Sequence, residues 1–551
     1  MELNLADICD ALGSASPDRE CLVFRDRRFT WAQVLDRTRR LARLLADAGL
    51  GTHGTFGEVE PWESVHDHLA LYLHNGNEYL EGMLGAYQAR LAPVNVNYRY
   101  RATELAYVLR DSGARAVVYH AAFAPLLDEV RADLPHLELL LQVDDGSGHA
   151  LLDGALDYEA ALAASSPELA PDLVASRSGD DLYVCYTGGT TGMPKGVLWR
   201  QADFLVAALG IRRRDGADVE SLDELVAAAR GSKLRALPAP PLMHGAAHWN
   251  AISCWVAGGT VIIQDHPEHF DPDDVLDTAE REAATSLLIV GDPFARPLLD
   301  ALARRPRRLP HLRHVLSGGA VLSPHTKAEL LAALPGTTVV DVLGSSESGR
   351  QGVSSVATTA ETSAGFAPST TAVVLADDRR RRLAPGDGEI GWLAQSGRVP
   401  LGYLHDRAKS EATFPVVDGV RFAVAGDRAR VSADGTIELL GRDSVCINTG
   451  GEKVFAEEVE TVLKEHPAVL DAVVCGRPSE RWGQEVVAVV ALRPEVADTV
   501  DDAELVARCK DRLASFKAPK AVLRVDAVRR SPAGKADYRW ATELATAAAG
   551  D

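Results

Sequence analysis

The stretch LYVCYTGGTTGMPKGV, residues 182–197, joins a short apolar run to a loop rich in glycine and threonine. The apolar run predicts a buried strand. In the loop, glycines let backbone N–H groups approach phosphate oxygens, and Lys195 adds a positive charge. Additional hydroxyl donors come from Thr187, Thr190 and Thr191. This chemistry is that of a phosphate-binding loop at the end of a strand.

The loop differs from the Walker A pattern of P-loop NTPases. Lys195 follows Pro194, and Gly196 occupies the position where a Ser or Thr would bind magnesium. Ordinary P-loop kinases and NTPases are therefore disfavoured. Taken alone, a Gly/Thr-rich loop is as often a surface turn as a binding site.

Two further loops of small residues follow apolar stretches. Ser317-Gly318-Gly319 comes after the run that ends at Leu316, and Gly344-Ser345-Ser346-Glu347 comes after the run that ends at Leu343. Open α/β sheets bind nucleotides at the carboxyl ends of their strands. Three such loops together predict a nucleotide site.

The surrounding pattern predicts an α/β protein. An amphipathic helix begins at Trp31, with Thr30 and Gln33 as a capping box and Gly49 as its end. Short apolar runs alternate with helical stretches, which favours α/β layers. These runs are 116–119, 139–143, 182–186, 287–290 and 339–343. Two aperiodic stretches, 51–68 and 377–388, are interpreted as solvated loops.

The chain has a second, smaller unit after about Gly441. There the pattern changes to a helix near Phe455, an alternating run over 485–492 and a helix over 502–513, which predicts a small α+β domain. The length of 551 residues also requires more than one domain, since single cores stop growing near about 300 residues.

Composition and charge exclude several classes of protein. A net charge of -20 opposes nonspecific binding to nucleic acid. We expect no integral membrane segment, because apolar runs are short, and a cytoplasmic location, because the start MELNLADICD lacks the features of a leader. The seven cysteines contain no CxxC pair, so neither a disulfide framework nor a zinc site is indicated.

Several ordered motifs resemble the adenylate-forming superfamily of acyl-CoA synthetases, nonribosomal adenylation domains and luciferases. The resemblance spans nearly the whole chain and is greatest to actinobacterial fatty-acyl and steroid side-chain CoA ligases. The motifs are YTGGTTGMPKG (186–196), PLMHG (241–245), LGSSESG (343–349), AGDRARV (425–431), GRDSVCINTGGEKVFAEEVE (441–460) and SPAGKADYRW (531–540). The resemblance implies a large N-terminal domain, residues 1–441, a hinge at 442–444 and a mobile C-terminal domain, 445–551.

The resemblance also implies ATP, Mg²⁺ and coenzyme A as ligands, and roles for individual residues. Glu347 would bind Mg²⁺, and Lys535 would reach the α-phosphate and the carboxylate as the catalytic lysine. Thr187 and His244, the latter a gate to the acyl pocket, would also be catalytic, and Gly245, Trp249 and residues 291–294 are possible pocket walls. Predicted nucleotide and coenzyme A contacts are Thr187, Gly188, Gly189, Thr190, Thr191, Lys195, Gly318, Gly319, Asp341, Gly344, Ser345, Ser346, Asp427, Arg442, Gly450, Gly451 and Glu452.

Each of these residues also has a purely structural interpretation. Isolated aspartates in GD turns more often form the turn, lysines near a C-terminus are mostly solvated, and a histidine such as His244 can be a core residue. The sequence departs from the family at Leu343, where many members have a tyrosine that stacks on adenine, and at the hinge residue Ser444, where Asp or Lys is usual.

The predicted function is ATP-dependent activation of a small carboxylic acid to an acyl-adenylate, followed by transfer to coenzyme A. Two alternatives stay open. The acceptor could be a carrier protein, an amine or another small nucleophile, or the chain could be a catalytically silent regulator that binds a nucleotide or acyl group. No nucleic-acid partner is expected, and a homodimer is left open.

Overall fold

The computed structural model describes residues 2–187, 193–213, 215–359, 366–369, 371–450, 452–531 and 534–548. Helices and strands alternate over most of these ranges, as the apolar runs predict. The α-helices are α1 Leu5–Ala15, α2 Trp31–Asp47, α3 Asn77–Gln88, α4 Ala102–Asp111, α5 Ala124–Arg131, α6 Tyr158–Ala164, α7 Pro171–Ala175, α8 Gln201–Ala207, α9 Leu222–Ala229, α10 Gly245–Val256, α11 Pro272–Arg281, α12 Gly291–Arg304, α13 Pro324–Ala333, α14 Arg407–Thr413, α15 Ala456–Lys464, α16 Asp502–Arg512 and α17 Tyr538–Ala547.

The largest sheet is mixed and contains two of the predicted nucleotide loops. Its strands are β1 Glu20–Phe24, β2 Arg27–Thr30, β10 Arg235–Pro238, β11 Thr260–Ile263, β12 Ser286–Ile289, β13 His314–Gly318, β14 Thr338–Ser345, β15 Gly349–Val356 and β16 Ala367–Pro368. They lie in the order β16-β15-β14-β13-β12-β10-β11-β1-β2. The centre is parallel, and Gly318 pairs with Val342, so β13 and β14 end side by side.

A second sheet is wholly parallel. It has the order β4-β3-β5-β6-β7. Its strands are β3 His68–Tyr72, β4 Ala92–Asn95, β5 Ala114–His120, β6 Leu139–Val143 and β7 Leu156–Asp157. Nearly all residues of β3, β4 and β5 are buried, as is typical of parallel sheets covered on both sides.

The phosphate loop connects two strands of a small antiparallel sheet. This sheet has the order β19-β9-β8, with β8 Leu182–Thr187, β9 Lys195–Arg200 and β19 Gly402–Tyr403. The predicted nucleotide loops therefore come from two different sheets, and the chain pattern alone did not indicate this. Beside them lies an antiparallel sheet of β17 Ala372–Leu375, β18 Ile390–Ser396, β20 Val416–Val417, β21 Val420–Ala423, β22 Asp427–Val431 and β23 Ile437–Arg442.

The C-terminal part has its own sheet and core. Its strands are β24 Cys446–Thr449, β25 Glu452–Phe455, β26 Val469–Ser479, β27 Gly483–Leu492 and β28 Ala521–Val525. One cluster of buried side chains joins this sheet to α15 and α16, and a second joins it to α17. The predicted α+β character is confirmed, whereas the exact domain boundaries, 441 and 445, stay predictions.

Local predictions are largely confirmed. Helix α2 begins at the Thr30–Gln33 capping box and ends just before Gly49, whose φ is +75°. The segment 51–68 is only partly solvated, because residues 65–68 are buried and His68 already begins β3. Among the described residues, no helix is both long and apolar enough to cross a membrane.

Candidate active site

Lys195 lies at the first position of β9, just after the phosphate loop. Its ammonium contacts Asp406 Oδ2 at 2.5 Å and lies 5.5 Å from the ring centroid of Tyr403. Asp406 Oδ1 accepts a hydrogen bond from Lys409 N and so caps α14. Burial opposes ionisation of Asp406, but the hydrogen bond from Lys195 and the cap lower its pKa overall. A negatively charged helix cap therefore holds the phosphate-loop lysine.

Glu347 lies in the turn between β14 and β15. The Tyr403 hydroxyl donates to Glu347 Oε1 at 3.0 Å. The preceding residue is also fixed, because Trp199 Nε1 donates to Ser346 O at 2.9 Å. Gly344 and Ser345 lie in β14 itself, so this segment is a tight hairpin rather than a loop after the strand. Tyr403 therefore contacts both Glu347, the predicted magnesium ligand, through its hydroxyl and Lys195 through its ring.

The residues at the end of β13 and β14 differ in their surroundings. Gly319 has φ +91°, and a side chain at Gly318 would meet Val342 O at 3.2 Å, so both glycines fit a close backbone turn. Asp341, by contrast, is buried in an ion pair with Lys327 Nζ at 2.9 Å. Its predicted nucleotide contact stays a prediction, and the structure gives its carboxylate a partner on helix α13.

Asp427 and Arg442 form the next part of the site. Arg442 Nε donates to Asp427 Oδ1 at 3.2 Å. Burial raises the pKa of Asp427, and the Arg442 charge opposes that shift. The pKa of Arg442 is raised, chiefly by Asp427. Glu457 Oε1 accepts from Arg442 N at 3.3 Å, which links this pair to the first turn of α15 in the C-terminal part.

Lys535 lies on a short loop of the C-terminal part that packs against the beginning of α12, just after β12. A side chain at Gly534 would meet Val290 and Pro293 at 3.3 and 3.4 Å. Arg530 Nη1 donates to Gly534 O and its Nε to Asp471, which holds the loop.

Lys535 lies near the acids of the large domain. Its side chain is exposed, yet the protein around it displaces enough water that desolvation lowers its pKa. The Arg442 charge lowers this pKa further, and Glu347 and Asp427 oppose the shift. Lys535 therefore shares one site with the acids of the large domain, although it lies more than a hundred residues from either in the chain.

His244 lies at the N-cap position of α10. Burial, the charge of Lys535 and the neighbouring His248 lower the pKa of His244 to about 3, so it is neutral. Its Nε2 is buried and has no hydrogen-bond partner among the described residues. An unsatisfied buried nitrogen is costly, so this atom is suited to meet a bound group.

A hydrogen-bond chain behind His244 orients the first turns of α10. His248 Nδ1 donates to Leu242 O at 2.8 Å, so the neutral Nε2 accepts from the Tyr183 hydroxyl at 2.5 Å. Trp249 Nε1 in turn donates to that hydroxyl at 2.6 Å. The Trp249 ring is thereby fixed near Gly245, where a side chain would lie 3.5 Å from it.

The predicted coenzyme A segment lies at the β24–β25 turn. Gly450 has φ +59°, and a side chain there would meet the Trp482 ring at 2.9 Å. Gly450 N donates to Trp482 O at 2.8 Å, and Glu452 is exposed. The hinge candidate Ser444 is exposed in the short 3₁₀ turn Asp443–Val445.

Five predicted residues lie outside the part of the chain that the structure describes: Gly188, Gly189, Thr190, Thr191 and Gly451. Thr187 is described and ends β8. Sequence reasoning missed Tyr403 and Asp406. No local motif marks these residues, and it is the pairing of β19 with β9 that brings them to the phosphate loop. Leu343, in the usual tyrosine position, packs partly against the cluster around Val374 and Leu393.

The donor chemistry fits Mg²⁺ and ATP. Mg²⁺ binds through one or two carboxylates together with phosphate oxygens and water rather than through a protein cage. Glu347 supplies one such carboxylate, and the described residues contain no group of three or more His, Cys, Asp or Glu side chains suited to a metal. Lys195 shares Tyr403 with Glu347, and the charges of Arg442 and Lys535 also act on Glu347, so three cations near it suit polyphosphate.

Comparison with known proteins gives the class. The AMP-binding enzyme family matches residues 10–404, and the AMP-binding enzyme C-terminal domain matches residues 458–535. An anthranilate CoA ligase in complex with anthranoyl-AMP superposes with a TM-score of 0.82 at 22% identity, covering 100% of this chain and 98% of that one. ATP-bound MatB from Rhodopseudomonas palustris gives 0.78 at 24% identity, covering 98% and 99%. The chain belongs to the AMP-binding enzyme family.

Relatives with higher identity define the activity. A medium-chain acyl-CoA ligase from Mycobacterium avium is 50% identical over 98% of this chain and 97% of its own length. A 3-oxocholest-4-en-26-oate–CoA ligase from Rhodococcus rhodochrous is 40% identical over 98% and 96%. The protein is an AMP-forming acyl-CoA ligase that uses ATP, Mg²⁺ and coenzyme A, which confirms the enzyme class, the fold and the cofactors predicted from sequence.

Proposed function

We propose that this ligase activates an apolar carboxylic acid, a medium- or long-chain fatty acid or a steroid side-chain acid, through the residues of the site described above. The single observation that carries the proposal is the position of the Lys535 loop, which packs at Gly534 against Val290 and Pro293 of the large domain and brings the Lys535 charge near His244 and Asp427. A lysine of the C-terminal part in that position is what adenylate formation requires.

In the first step, a carboxylate oxygen attacks the α-phosphorus of ATP and pyrophosphate leaves. Lys535 offsets the negative charge that gathers on the reacting carboxylate and phosphate oxygens, and this is electrostatic stabilisation of the transition state. Lys195 holds the outer phosphates, and Asp427 accepts hydrogen bonds from the ribose hydroxyls. Mg²⁺, when bound at Glu347, neutralises phosphate charge.

In the second step, the thiol of coenzyme A attacks the acyl carbon and AMP leaves. Lys535 occupies the site in the first arrangement, so it must withdraw before a thiol enters from the C-terminal side. We assign this exchange to rotation about residues 442–444, which brings Gly450 and Glu452 to the site. The two chemical steps therefore take place at one site, each in its own arrangement of the small domain.

The N-terminal end of α10 supports an apolar substrate. His244, Gly245, Ala246 and Trp249 are partly exposed at the N-terminal end of α10, and Trp249 is held by Tyr183. The ring centroid of Trp249 lies 5.5 Å from that of the buried Phe204 in an edge-on contact, so Phe204 supports the aromatic wall from behind. Such a wall favours alkyl or ring carbons over charged groups. The relatives that act on fatty and steroid acids support the same class of acid.

A panel of acids tests this proposal. Octanoate, decanoate, palmitate, 3-oxocholest-4-en-26-oate and benzoate are each supplied with ATP and Mg²⁺, with and without coenzyme A, and pyrophosphate and thioester are measured. We expect acid-dependent pyrophosphate release with the apolar acids and thioester only with coenzyme A. Pyrophosphate release without thioester would assign the acceptor to a carrier protein or amine. No release with any acid would overturn the proposal.

We further propose that the ligase works in the cytoplasm, where ATP and coenzyme A are supplied together. A homodimer also stays a prediction, and sedimentation velocity at two protein concentrations tests it.

A further inference from the structure

The segment 52–66, here called the strap, is a closed loop rather than a free surface stretch. Thr52 and His66 form an antiparallel bridge at its base, and His53 N donates to Val65 O at 2.7 Å. His66 Nε2 lies 3.2 Å from Asp181 Oδ1 just before β8. The base of the strap is therefore tied to the sheet that holds the phosphate loop, while most residues of its tip are exposed.

The tip of the strap contacts that sheet at two places. Trp62 O accepts a hydrogen bond from His405 N at 2.8 Å, and the Arg407 guanidinium lies 5.4 Å from the Trp62 ring centroid. Farther along, Arg200 lies 5.5 Å from the Phe56 ring. Arg200 ends β9, and His405 follows β19, which pairs with β9. The strap thus spans the sheet from one end of β9 to the other.

His405 is the point where the strap acts on the site. It is an exposed non-glycine residue with φ +58°, a conformation that is strained unless neighbours stabilise it. Leu404 N on one side donates to Gly196 O of the phosphate-loop strand at 2.8 Å. Asp406 on the other side holds Lys195. The unusual turn at His405 therefore sets where two anchors of the phosphate loop lie.

We propose that the strap is a positioning element for the ATP phosphates and that Trp62 and His405 are its positioning residues. The Trp62–His405 contact stabilises the left-handed turn, the turn fixes Asp406 and Tyr403, and these hold Lys195 and Glu347 respectively. The inference rests on the proposed roles of Lys195 and Glu347 toward ATP. Neither strap residue touches the nucleotide.

The first test replaces the Trp62 side chain. Trp62→Ala removes the ring that faces Arg407 and loosens the tip, and we expect MgATP to bind about 5-fold more weakly, a change of about 1 kcal/mol. The dissociation constant is measured by titration calorimetry without any acid. Thioester formation from supplied acyl-adenylate, which needs no ATP phosphates, should stay within about 2-fold of wild type.

Matched variants separate positioning from stability. Val59→Ala changes an exposed strap residue with no described role, and Trp62→Phe keeps an aromatic ring, so both should bind MgATP like wild type. In a double-mutant cycle, Trp62→Ala should add little to Asp406→Asn, since both act through Lys195. Full additivity, or equal losses in both half-reactions, would overturn the inference.

A second pair of variants tests the turn directly. His405→Gly accepts a positive φ without strain, whereas His405→Val does not. We expect MgATP affinity within about 2-fold of wild type for the glycine variant and a loss of about 5-fold or more for valine. Equal affinities for the two would contradict a role for this turn. If wild type itself fails to bind MgATP, the proposed function fails together with the strap.

Discussion

Asp427 and Arg442 face each other as register partners on the antiparallel strands β22 and β23, and Arg442 Nε donates to Asp427 Oδ1 at 3.2 Å. Arg442 is the last residue of β23 and directly precedes the turn predicted as the hinge. Its backbone N also donates to Glu457 of the C-terminal part. The Asp427–Arg442 pair therefore connects the predicted nucleotide site of the large domain to the predicted hinge at 442–444.

Asp427→Asn should weaken nucleotide use more than coenzyme A use. The amide keeps the shape but loses the charge that binds Arg442 and would accept ribose hydroxyls. Charge-assisted hydrogen bonds contribute about 1.5–3 kcal/mol, so KM for ATP should rise by about 10- to 100-fold. Steady-state kinetics with each substrate varied in turn measures this. An equal rise in KM for coenzyme A would argue against a ribose contact.

Lys535→Ala should separate the two half-reactions. Without the ammonium, acid-dependent pyrophosphate release should fall by at least about 10³-fold, because the negative charge that develops on the reacting oxygens is no longer offset. Thioester formation from supplied acyl-adenylate should change little. The exposed Lys510→Ala on α16 is the matched control. Parallel loss of both half-reactions would indicate a folding defect or a different lysine.

The pH profile of adenylation should reflect the environment of Lys535. Desolvation, followed by the charge of Arg442, lowers the pKa of this lysine from 10.5. The protonated form is the active one, so the rate should fall on the alkaline side at a pH below 10.5. Lys535→Arg, if active, should move that limb upward, since arginine stays charged. A wild-type rate that stays flat through pH 10.5 would contradict this assignment.

Acid should destabilise the protein between pH 6.5 and 4. Burial lowers the pKa of His68, His120 and His248 from 6.5 to about 4. In this window the unfolded chain binds protons that the folded chain excludes, so the free energy of unfolding falls as pH falls, by at most about 1.4 kcal/mol per pH unit for each histidine. Tm recorded from pH 7.5 to 4.5 tests the slope, and His120→Asn should flatten it. A Tm that is constant or rises on acidification would refute this.

Gly450→Ala should affect the thioester step. The added side chain would meet the Trp482 ring at 2.9 Å in a backbone with φ +59°. Gly435→Ala is the matched control, because Gly435 also has positive φ (+85°) and has nothing within 4 Å of an added side chain. Both should lose about 1 kcal/mol of stability from the backbone. Only Gly450→Ala should slow thioester formation, and equal kinetics for the two would place coenzyme A elsewhere.

The sequence by itself determined the class of fold and the enzyme class, and it predicted most of the polar residues that the structure brings together. Strong local signals made this feasible: the capping box at Thr30 fixes a helix start, and glycine and threonine after an apolar run describe a phosphate loop. Each of these signals depends on neighbours within a few positions of the chain. The family motifs added residues such as Lys535, whose local sequence has no chemical signal of its own.

Only the tertiary structure decided how these residues are held. Asp406 reaches Lys195 from a helix cap that lies 211 positions away, and Tyr403 reaches Glu347 across 56 positions. Asp341 was assigned to the nucleotide, yet its carboxylate meets Lys327, a contact between β14 and α13 that no spacing predicts. Contacts between elements depend on how sheets pack and on strand register, and those are set by the whole core rather than by any short stretch of sequence.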